Sequence, residues 1–186
     1  MRLRLVICLL LAAVGLGKAE KVSFLDGKLK LDTGEAFIQE REAKAEKKSE
    51  LAHFSARDSD GWGAITRGTH GLQPDGLVTY LKNKVAEYTK GLSWLPQLKW
   101  LKKEILTING RQWVDLRYIA PRAHPTNPRD GLLYTRILAT SYEGQLLEIL
   151  FTSNTDENPA LKDQIDKVIE SVQLEDPSSR ESTVRK

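Results

Sequence analysis

The chain has 186 residues, of which 28 are Lys or Arg and 25 are Asp or Glu, so its formal net charge is +3. This length suits one ordinary domain with a hydrophobic core. Residues 1–19 carry three of the basic residues, and without them the two signs balance at 25 each. Nucleic acid binding requires a net basic surface, so we expect no nucleic-acid partner.

The first nineteen residues have the layout of a secretory signal peptide. Arg2 and Arg4 precede the apolar run Leu5–Leu16, and Gly17 and Ala19 occupy the small-residue positions before a cleavage site. The run is too short to span a bilayer, and no later segment is long and apolar enough to do so. We therefore expect cleavage after Ala19, export to the periplasm or the cell exterior, and no transmembrane segment in the mature chain.

The first elements predicted after the signal peptide are a hairpin and a charged segment. Asp26-Gly27 is a strong turn signal, with alternating apolar residues on its far side. Residues 34–50 are rich in charge, and only Phe37 and Ile38 resemble apolar anchors. We interpret this segment as a short solvated helix or a loose excursion.

Two strands and a helix are predicted next. Leu51–Ala56 and Trp62–Thr66 form the strands, with a turn at Ser59-Asp60-Gly61. The glycines beside Trp62 are interpreted as making room for its indole where the backbone comes close. Apolar residues at helical spacing then predict a helix over Leu77–Thr89.

Two hairpins follow, each built around an Xaa-Gly turn: Leu101–Ile108 with Arg111–Ile119, and Leu132–Ser141 with Gln145–Phe151. Asn109-Gly110 predicts a two-residue loop in the first hairpin. For the second hairpin we expect a three-residue loop with a bulge at Gly144. The connection at residues 120–130 contains three prolines, which predict an exposed irregular loop.

The last predicted element is a helix with Asn158 as its cap and Pro159 in its first turn. Its apolar stripe consists of Leu161, Ile165, Val168, Ile169 and Val172. We expect one α+β domain over residues 20–174 and a disordered tail at 175–186. The order of elements predicts an antiparallel sheet with helices packed on its faces.

Residues 51–174 resemble the PsbP-like superfamily, which includes photosystem II PsbP and DcrB-like exported proteins. The resemblance rests on the order of elements and on Ile-Leu-Thr-Ile-Asn-Gly-Arg (105–111), the strand pair 133–140 and 146–153, and the helix ending Glu-Ser-Val (170–172). It implies an α/β/α sandwich around an antiparallel sheet. It also implies a non-enzymatic binding or assembly role, and it identifies no functional residue.

Catalytic and metal-binding patterns are missing from the sequence. His53, His70 and His124 lie far apart and form no ligand pair, and the one cysteine, Cys8, lies in the signal segment. There is no Gly-x-Ser-x-Gly elbow and no phosphate-binding glycine loop. We therefore expect neither an enzyme nor a cofactor or metal site, although a triad of distant residues is compatible with the sequence.

The two hairpins give one candidate binding surface. Strand parity and the Gly144 bulge place Asp115 on one sheet face with five candidate binding residues: Trp113, Arg117, Tyr134, Arg136 and Glu148. Aromatic and arginine side chains dominate interface energies, so these residues are the predicted partner-binding patch. The alternative is a salt-bridged, half-solvated sheet surface, or charged side chains that snorkel past a covering helix.

We therefore expect an exported, soluble, non-enzymatic binding or accessory protein of the bacterial cell envelope that acts on a protein partner. The alternative is a small-molecule-binding protein or hydrolase with a pocket between sheet and helix. A closed pocket lined by Trp113, Arg117, Tyr134 and Glu148 would favour the alternative. A filled interior with these residues on an open face would favour the first hypothesis.

Overall fold

A computed structural model describes residues 21–40, 49–57, 60–90, 98–121, 131–154 and 158–176. The expected signal peptide, most of the proline-rich connection and the last ten residues of the tail lie outside these ranges. Within them, no helix is long and apolar enough to cross a membrane. The strands and helices occupy the following ranges: β1 Lys21–Phe24, β2 Leu29–Asp32, β3 Phe37–Gln39, β4 Glu50–Ala56, β5 Gly61–Gly71, α1 Leu77–Thr89, β6 Lys99–Ile108, β7 Arg111–Pro121, β8 Leu132–Tyr142, β9 Gln145–Asn154, α2 Pro159–Glu170 and β10 Gln173–Leu174.

The strands form two antiparallel sheets. The larger has seven strands in the order β3-β4-β5-β9-β8-β7-β6, and the smaller has three in the order β1-β2-β10. Both helices pack on the larger sheet, one on each face. The predicted α+β class and antiparallel sheet are therefore confirmed.

The first hairpin has the predicted register, and the second does not. Ile108 pairs with Arg111 across Asn109-Gly110, whose φ angles are both positive at 50° and 79°. The second hairpin also closes with two residues, because Glu143 and Gly144 both adopt positive φ angles of 52° and 73°. The expected bulge at Gly144 is therefore wrong, and β9 is turned over relative to that expectation.

The face of the large sheet that α2 covers is called the α2 face here. Its core includes Trp113, Leu138, Ile149 and Phe151, packed against the helix and the small sheet. All five residues of the predicted α2 stripe are buried in this core: Leu161, Ile165, Val168, Ile169 and Val172. The Asn158 side chain makes no capping bond, contrary to expectation, although Pro159 lies in the first turn as predicted.

The opposite side of the sheet is called the α1 face. Val114, Leu116, Ile137 and Ala139 are fully buried there against the helix. The helix contacts β6 and β7, toward one edge of the sheet. Its range is the predicted one.

The charged segment at residues 34–50 contains a strand rather than a helix. Phe37 begins β3 and is buried, with its ring centroid 4.8 Å from that of Phe151. Its neighbour Ile38 points to the other face and is exposed. The helix expectation is therefore wrong for β3, and residues 41–48 lie outside the described ranges.

Gly63 makes room for a different aromatic ring from the one expected. A Cβ atom at Gly63 would lie 2.3 Å from the ring of Phe151. Trp62 instead projects from the α1 face and stays exposed. The glycine is thus required by the core of the α2 face.

The edge of the large sheet at β6 has features that oppose pairing with another chain. The edge strand β6 carries Lys99, Lys102 and Lys103 and has a bulge between Trp100 and Lys102. Lysines and bulges are devices that keep an exposed edge from pairing with another chain.

The chain remains hydrogen-bonded to the small sheet just after β10, because the Glu175 amide donates to the Lys28 carbonyl at 2.9 Å.

We expect Ile165→Ala to destabilise the fold by about 2–5 kcal/mol, because the side chain is fully buried between α2 and the sheet. Asp163→Ala on the exposed side of the same helix is the control and should change stability by less than about 0.5 kcal/mol. Urea unfolding followed by circular dichroism measures both. Equal effects for the two variants would contradict the docking of α2.

Candidate functional site

Four of the five residues of the predicted patch lie together on the α2 face: Trp113, Arg117, Tyr134 and Arg136. They come together because Arg117 pairs with Arg136, and Trp113 lies four residues before Arg117 on β7. Glu148 lies on the α1 face, since the two-residue turn at Glu143-Gly144 reverses the parity assumed for β9. Its placement in the patch is therefore wrong.

The centre of this group is a buried ion network. Asp115 is fully buried and accepts hydrogen bonds from Arg136 Nη2 at 2.9 Å and from Arg117 Nη2 at 2.7 Å. Arg136, also buried, donates through Nη1 to Asp166 Oδ1 of α2 at 2.9 Å. Two arginines thus alternate with two aspartates, so the buried charges are paired as burial demands.

Tyr134 connects the network to the helix a second time. Its hydroxyl donates to Asp166 Oδ1 at 2.7 Å. Burial raises the pKa of Tyr134 well above its ordinary value, and the hydrogen bond to the Asp166 carboxylate adds to the shift. Lys162 lies over the Tyr134 ring, with its ammonium 5.2 Å from the centroid. The phenol therefore stays protonated and fixes α2 against β8.

The arginines of this group are salt-bridged, as the alternative to a binding patch expects, but they lie mostly buried beneath α2 and neither form a half-solvated surface nor snorkel past the helix. Trp113, Tyr134 and Arg136 are buried, and only the Arg117 side chain is partly accessible, at 18%. None of the four lies on an open face or lines the cavities of about 270, 370, 440 and 530 Å³ that the described residues form. A direct role in partner binding stays a prediction, and the observed contacts make the network a structural junction between sheet and helix.

The α1 face contains an accessible surface that the patch did not include. It is called the open face here and comprises His53, Trp62, Ala64, Thr66 and Leu150. These residues lie on β4, β5 and β9, whereas α1 contacts β6 and β7. The open face is therefore the half of the sheet that the helix does not cover.

Trp62 is the most prominent side chain of the open face, with 44% of its surface exposed. Its ring stacks on His53, with centroids 5.9 Å apart and planes 6° from parallel. His53 Nδ1 lies 3.1 Å from Glu50 Oε1, and its Nε2 lies 4.0 Å from Glu40 Oε2. Stacking and hydrogen bonding together hold the indole upright on the sheet.

Two hollows flank Trp62. The larger, of about 530 Å³, is lined by the apolar side chains of Ala64 and Leu150 and by the carboxylates of Glu50 and Glu148. The smaller, of about 370 Å³, includes Leu133 in its lining. The tryptophan is thus a ridge between two shallow depressions, a shape suited to contact with a surface or an extended chain.

The α1 helix reaches one side of the larger hollow. The Tyr80 hydroxyl donates to Glu148 Oε2 at 2.5 Å, and Lys84 Nζ lies 3.6 Å from the same oxygen. Burial raises the pKa of Tyr80 above its ordinary value, with the Glu148 carboxylate contributing further. Tyr80 therefore stays a hydrogen-bond donor to Glu148.

A third depression runs beside α2. It has a volume of about 440 Å³, and it lies between the helix and the turn from β2 to β3. Leu161 and Val168 line its floor, while Arg57 and Lys167 are among its polar residues. None of the five predicted patch residues lines this cleft.

Metal ligands do not cluster in the part of the chain that the structure describes: no three His, Asp or Glu side chains there are placed to hold an ion. His53 is engaged with Trp62 and Glu50. His124 and the side chain of His70 lie outside the description.

Comparison with solved structures identifies the fold, whereas no family model and no curated protein sequence matches the chain. The solution structure of cyanobacterial PsbP (CyanoP) from Synechocystis sp. PCC 6803 has a TM-score of 0.55 and 15% identity, covering 88% of this chain and 96% of that one. The chain has the PsbP-like fold. The resemblance predicted from residues 51–174 is thus confirmed at the level of the fold.

Two further structures with the PsbP-like fold extend the comparison. The Ran-binding protein Mog1p of Saccharomyces cerevisiae has a TM-score of 0.57 and 9% identity, covering 85% of this chain and 96% of that one. LpqN of Mycobacterium tuberculosis, described as involved in cell envelope biogenesis, has a TM-score of 0.52 and 13% identity, covering 84% and 90%. At these identities the comparison transfers a fold and no binding residue.

Sequence reasoning missed the open face, although a signal for it was present. Trp62, Ala64 and Thr66 alternate along β5, and His53 lies opposite Ala64 on β4. The Gly-Trp-Gly sequence was interpreted as a packing site for the indole, so the exposed position of Trp62 was not considered. Only the position of α1 reveals which half of this face is uncovered.

We expect Asp115→Ala to destabilise the fold by about 3–5 kcal/mol, because Arg117 and Arg136 would keep buried charge without their shared carboxylate. Glu104→Ala on the edge strand is the control, since its ion pair with Lys102 is solvent-exposed and contributes under about 1 kcal/mol. Thermal and urea unfolding compare the two. A mild effect at Asp115 would contradict the role of the network in holding α2.

Proposed function

We propose that this chain is an exported, non-catalytic accessory protein of the bacterial cell envelope that binds a protein partner through the open face. The amino-terminal pattern of Arg2, Arg4 and Leu5–Leu16 supports export. Among proteins with the same fold, Mog1p is a Ran-binding protein and LpqN is involved in cell envelope biogenesis. Those roles belong to those proteins, and they support an accessory binding role for this one.

The exposed Trp62 is the observation that carries the proposal. A tryptophan that is 44% exposed leaves a large apolar surface in water, and tryptophan is enriched among the residues that dominate protein interfaces. Ile38 on β3 is a second exposed apolar side chain, on the same face of the sheet as Trp62. A partner that covered both would remove this apolar surface from water.

The chemistry of the buried network supports binding over catalysis. Asp115, Asp166, Arg117 and Arg136 are engaged with one another and lie under α2, where a substrate has no access. On the open face, His53 is stacked and Glu50 is its hydrogen-bond partner. The Ser55 hydroxyl on this face donates to Glu40, and the His53 ring is held by Trp62 and Glu50, so these described residues form no serine–histidine pair.

The cleft beside α2 favours a second candidate function, the binding of a small molecule. Its volume of about 440 Å³ lies within the range of ligand pockets, and its floor is apolar with polar residues around it. Gln164→Trp would fill this cleft without touching the open face. Loss of a co-purifying small molecule in that variant would favour this second function.

We expect the exported protein to begin at Glu20. The small-residue pattern of Gly17 and Ala19 is the form that signal peptidase recognises. Intact-mass measurement of the protein from the producing cells and their medium decides the matter. A mass that retains Met1, or one increased by a lipid, would contradict the proposal.

We expect a photo-crosslinking amino acid at position 62 to capture one protein of defined mass in the producing cells. The same amino acid at position 78 is the matched control, since Val78 is also exposed, at 50%, but lies on the solvent side of α1. Immunoblotting and mass spectrometry of the crosslinked bands compare the two positions. The same bands from both positions, or none from position 62, would contradict docking at the open face.

A further inference from the structure

We infer that the larger hollow of the open face receives a lysine or arginine side chain of the partner polypeptide. This inference rests on the proposed function and specifies the chemistry of its partner. The receiving residues are Glu50, Glu148 and Trp62.

Two carboxylates face each other across this hollow. Glu50 pairs with Thr66 on one side, and Thr66 pairs with Glu148 on the other, so the three residues form one row across β4, β5 and β9. Neighbouring strands lie about 4.8 Å apart, which puts the backbones of the two glutamates about 10 Å from each other. A cation above Thr66 would be attracted to both carboxylates.

Among the described residues of the hollow, carboxylates outnumber ammonium groups. Glu50 and Glu148 line it, Lys84 lies 3.6 Å from Glu148, and the partner of Glu50 is the His53 ring at 3.1 Å. The Glu50 and Glu148 side chains are each only 16% exposed. Limited solvation strengthens the attraction of a carboxylate for a cation, so this half of the sheet is complementary to a positively charged group.

The walls of the hollow fit the rest of a long cationic side chain. Ala64 and Leu150 provide an apolar floor for methylene groups, as a snorkelling lysine or arginine requires. Trp62 also lines this hollow, with His53 stacked on its ring. Carboxylates beside an apolar lining together suit a long aliphatic cation.

The surface continues beyond one side chain, which favours a polypeptide over a free amine. The smaller hollow on the far side of Trp62 is lined in part by Leu133, and Ile38 is exposed on β3, two strands away from the β5 strand that carries Trp62. A free diamine would leave this apolar surface in water. An extended segment with basic and apolar residues would cover both the acidic hollow and the apolar flank.

The test uses the mature protein and three blocked pentapeptides of sequence Ala-Xaa-Ala-Xaa-Ala, in which Xaa is lysine, arginine or the uncharged norleucine. Titrations are followed by the backbone amides of Ala64, Thr66 and Leu150 and by the indole N–H of Trp62 in nitrogen-15 correlation spectra. We expect the two basic peptides to shift these signals and norleucine to do so at least about tenfold more weakly. Added salt should weaken the binding of the basic peptides, since the attraction between partly exposed charges is screened.

Glu50→Gln combined with Glu148→Gln should weaken binding of the basic peptides about tenfold, because both carboxylate charges are lost. The glutamine side chains keep an acceptor oxygen for His53 and Tyr80, so the local hydrogen bonds are retained. Glu104→Gln on β6 is the matched control and should bind as the unmodified protein does. Equal binding of lysine and norleucine peptides, or full binding by the double variant, would overturn the inference. Putrescine that binds as tightly as the lysine peptide would also overturn it, in favour of a free amine.

The same double variant separates this inference from the proposed function. If crosslinking at position 62 persists unchanged in the double variant, the partner docks on the open face without a cation in the hollow. That result would overturn the inference and leave the docking proposal standing. If crosslinking at position 62 fails while the peptides bind as expected, the docking proposal is contradicted and the binding of cations in the hollow is not.

Discussion

One helix is too narrow to cover the sheet on which this fold is built. Seven strands about 4.8 Å apart span about 29 Å, whereas a helix with its side chains is about 10–12 Å across. On the α2 face the small sheet supplies the missing width, since Phe24 of β1 packs edge-on against Phe54 of β4 at 6.2 Å. On the α1 face no second described element does so, and β4 and β5 keep an accessible surface there.

The buried ion network determines how the covered face is assembled. An apolar helix stripe on an apolar sheet can slide or rotate with little loss of contact. The bonds from Arg136 and Tyr134 to Asp166 allow one position of α2, because their geometry fails if the helix turns or shifts by a residue. Charge at this junction therefore adds directional contacts between α2 and the sheet, which an apolar cluster of equal size lacks.

Much of the fold could be predicted from local signals. Asn109-Gly110 determined a register that the structure confirms, since asparagine and glycine both tolerate positive φ angles. At Glu143-Gly144 a two-residue turn was not expected, because glutamate rarely adopts a positive φ angle. The turn forms because its strands bury their side chains in that register and because the Glu143 carboxylate accepts a hydrogen bond from Arg67 at 2.7 Å. Tertiary packing outweighed the local preference.

The candidate site was less accessible to sequence reasoning than the fold. Strand parity correctly grouped Trp113 with Arg117, but parity does not say which face a helix will cover. The patch was therefore placed on a surface that α2 buries. The exposure of Trp62 was not predicted for the same reason, since it depends on which strands α1 covers. Coverage is a property of the assembled layers, and no single strand encodes it.

The bulged, lysine-bearing edge at β6 determines how copies of this protein behave when they are concentrated. A ten-residue strand with a free side is a template on which a second copy could continue the sheet. Lys99, Lys102 and Lys103 would bring like charges together in such a pairing, and the bulge at Leu101 would interrupt its ladder. Growth at this edge is therefore opposed, whereas none of the five residues of the open face is a lysine and its most exposed side chain is the Trp62 indole. The docking proposed for the open face would therefore use a different side of the sheet from the edge that is protected against polymerisation.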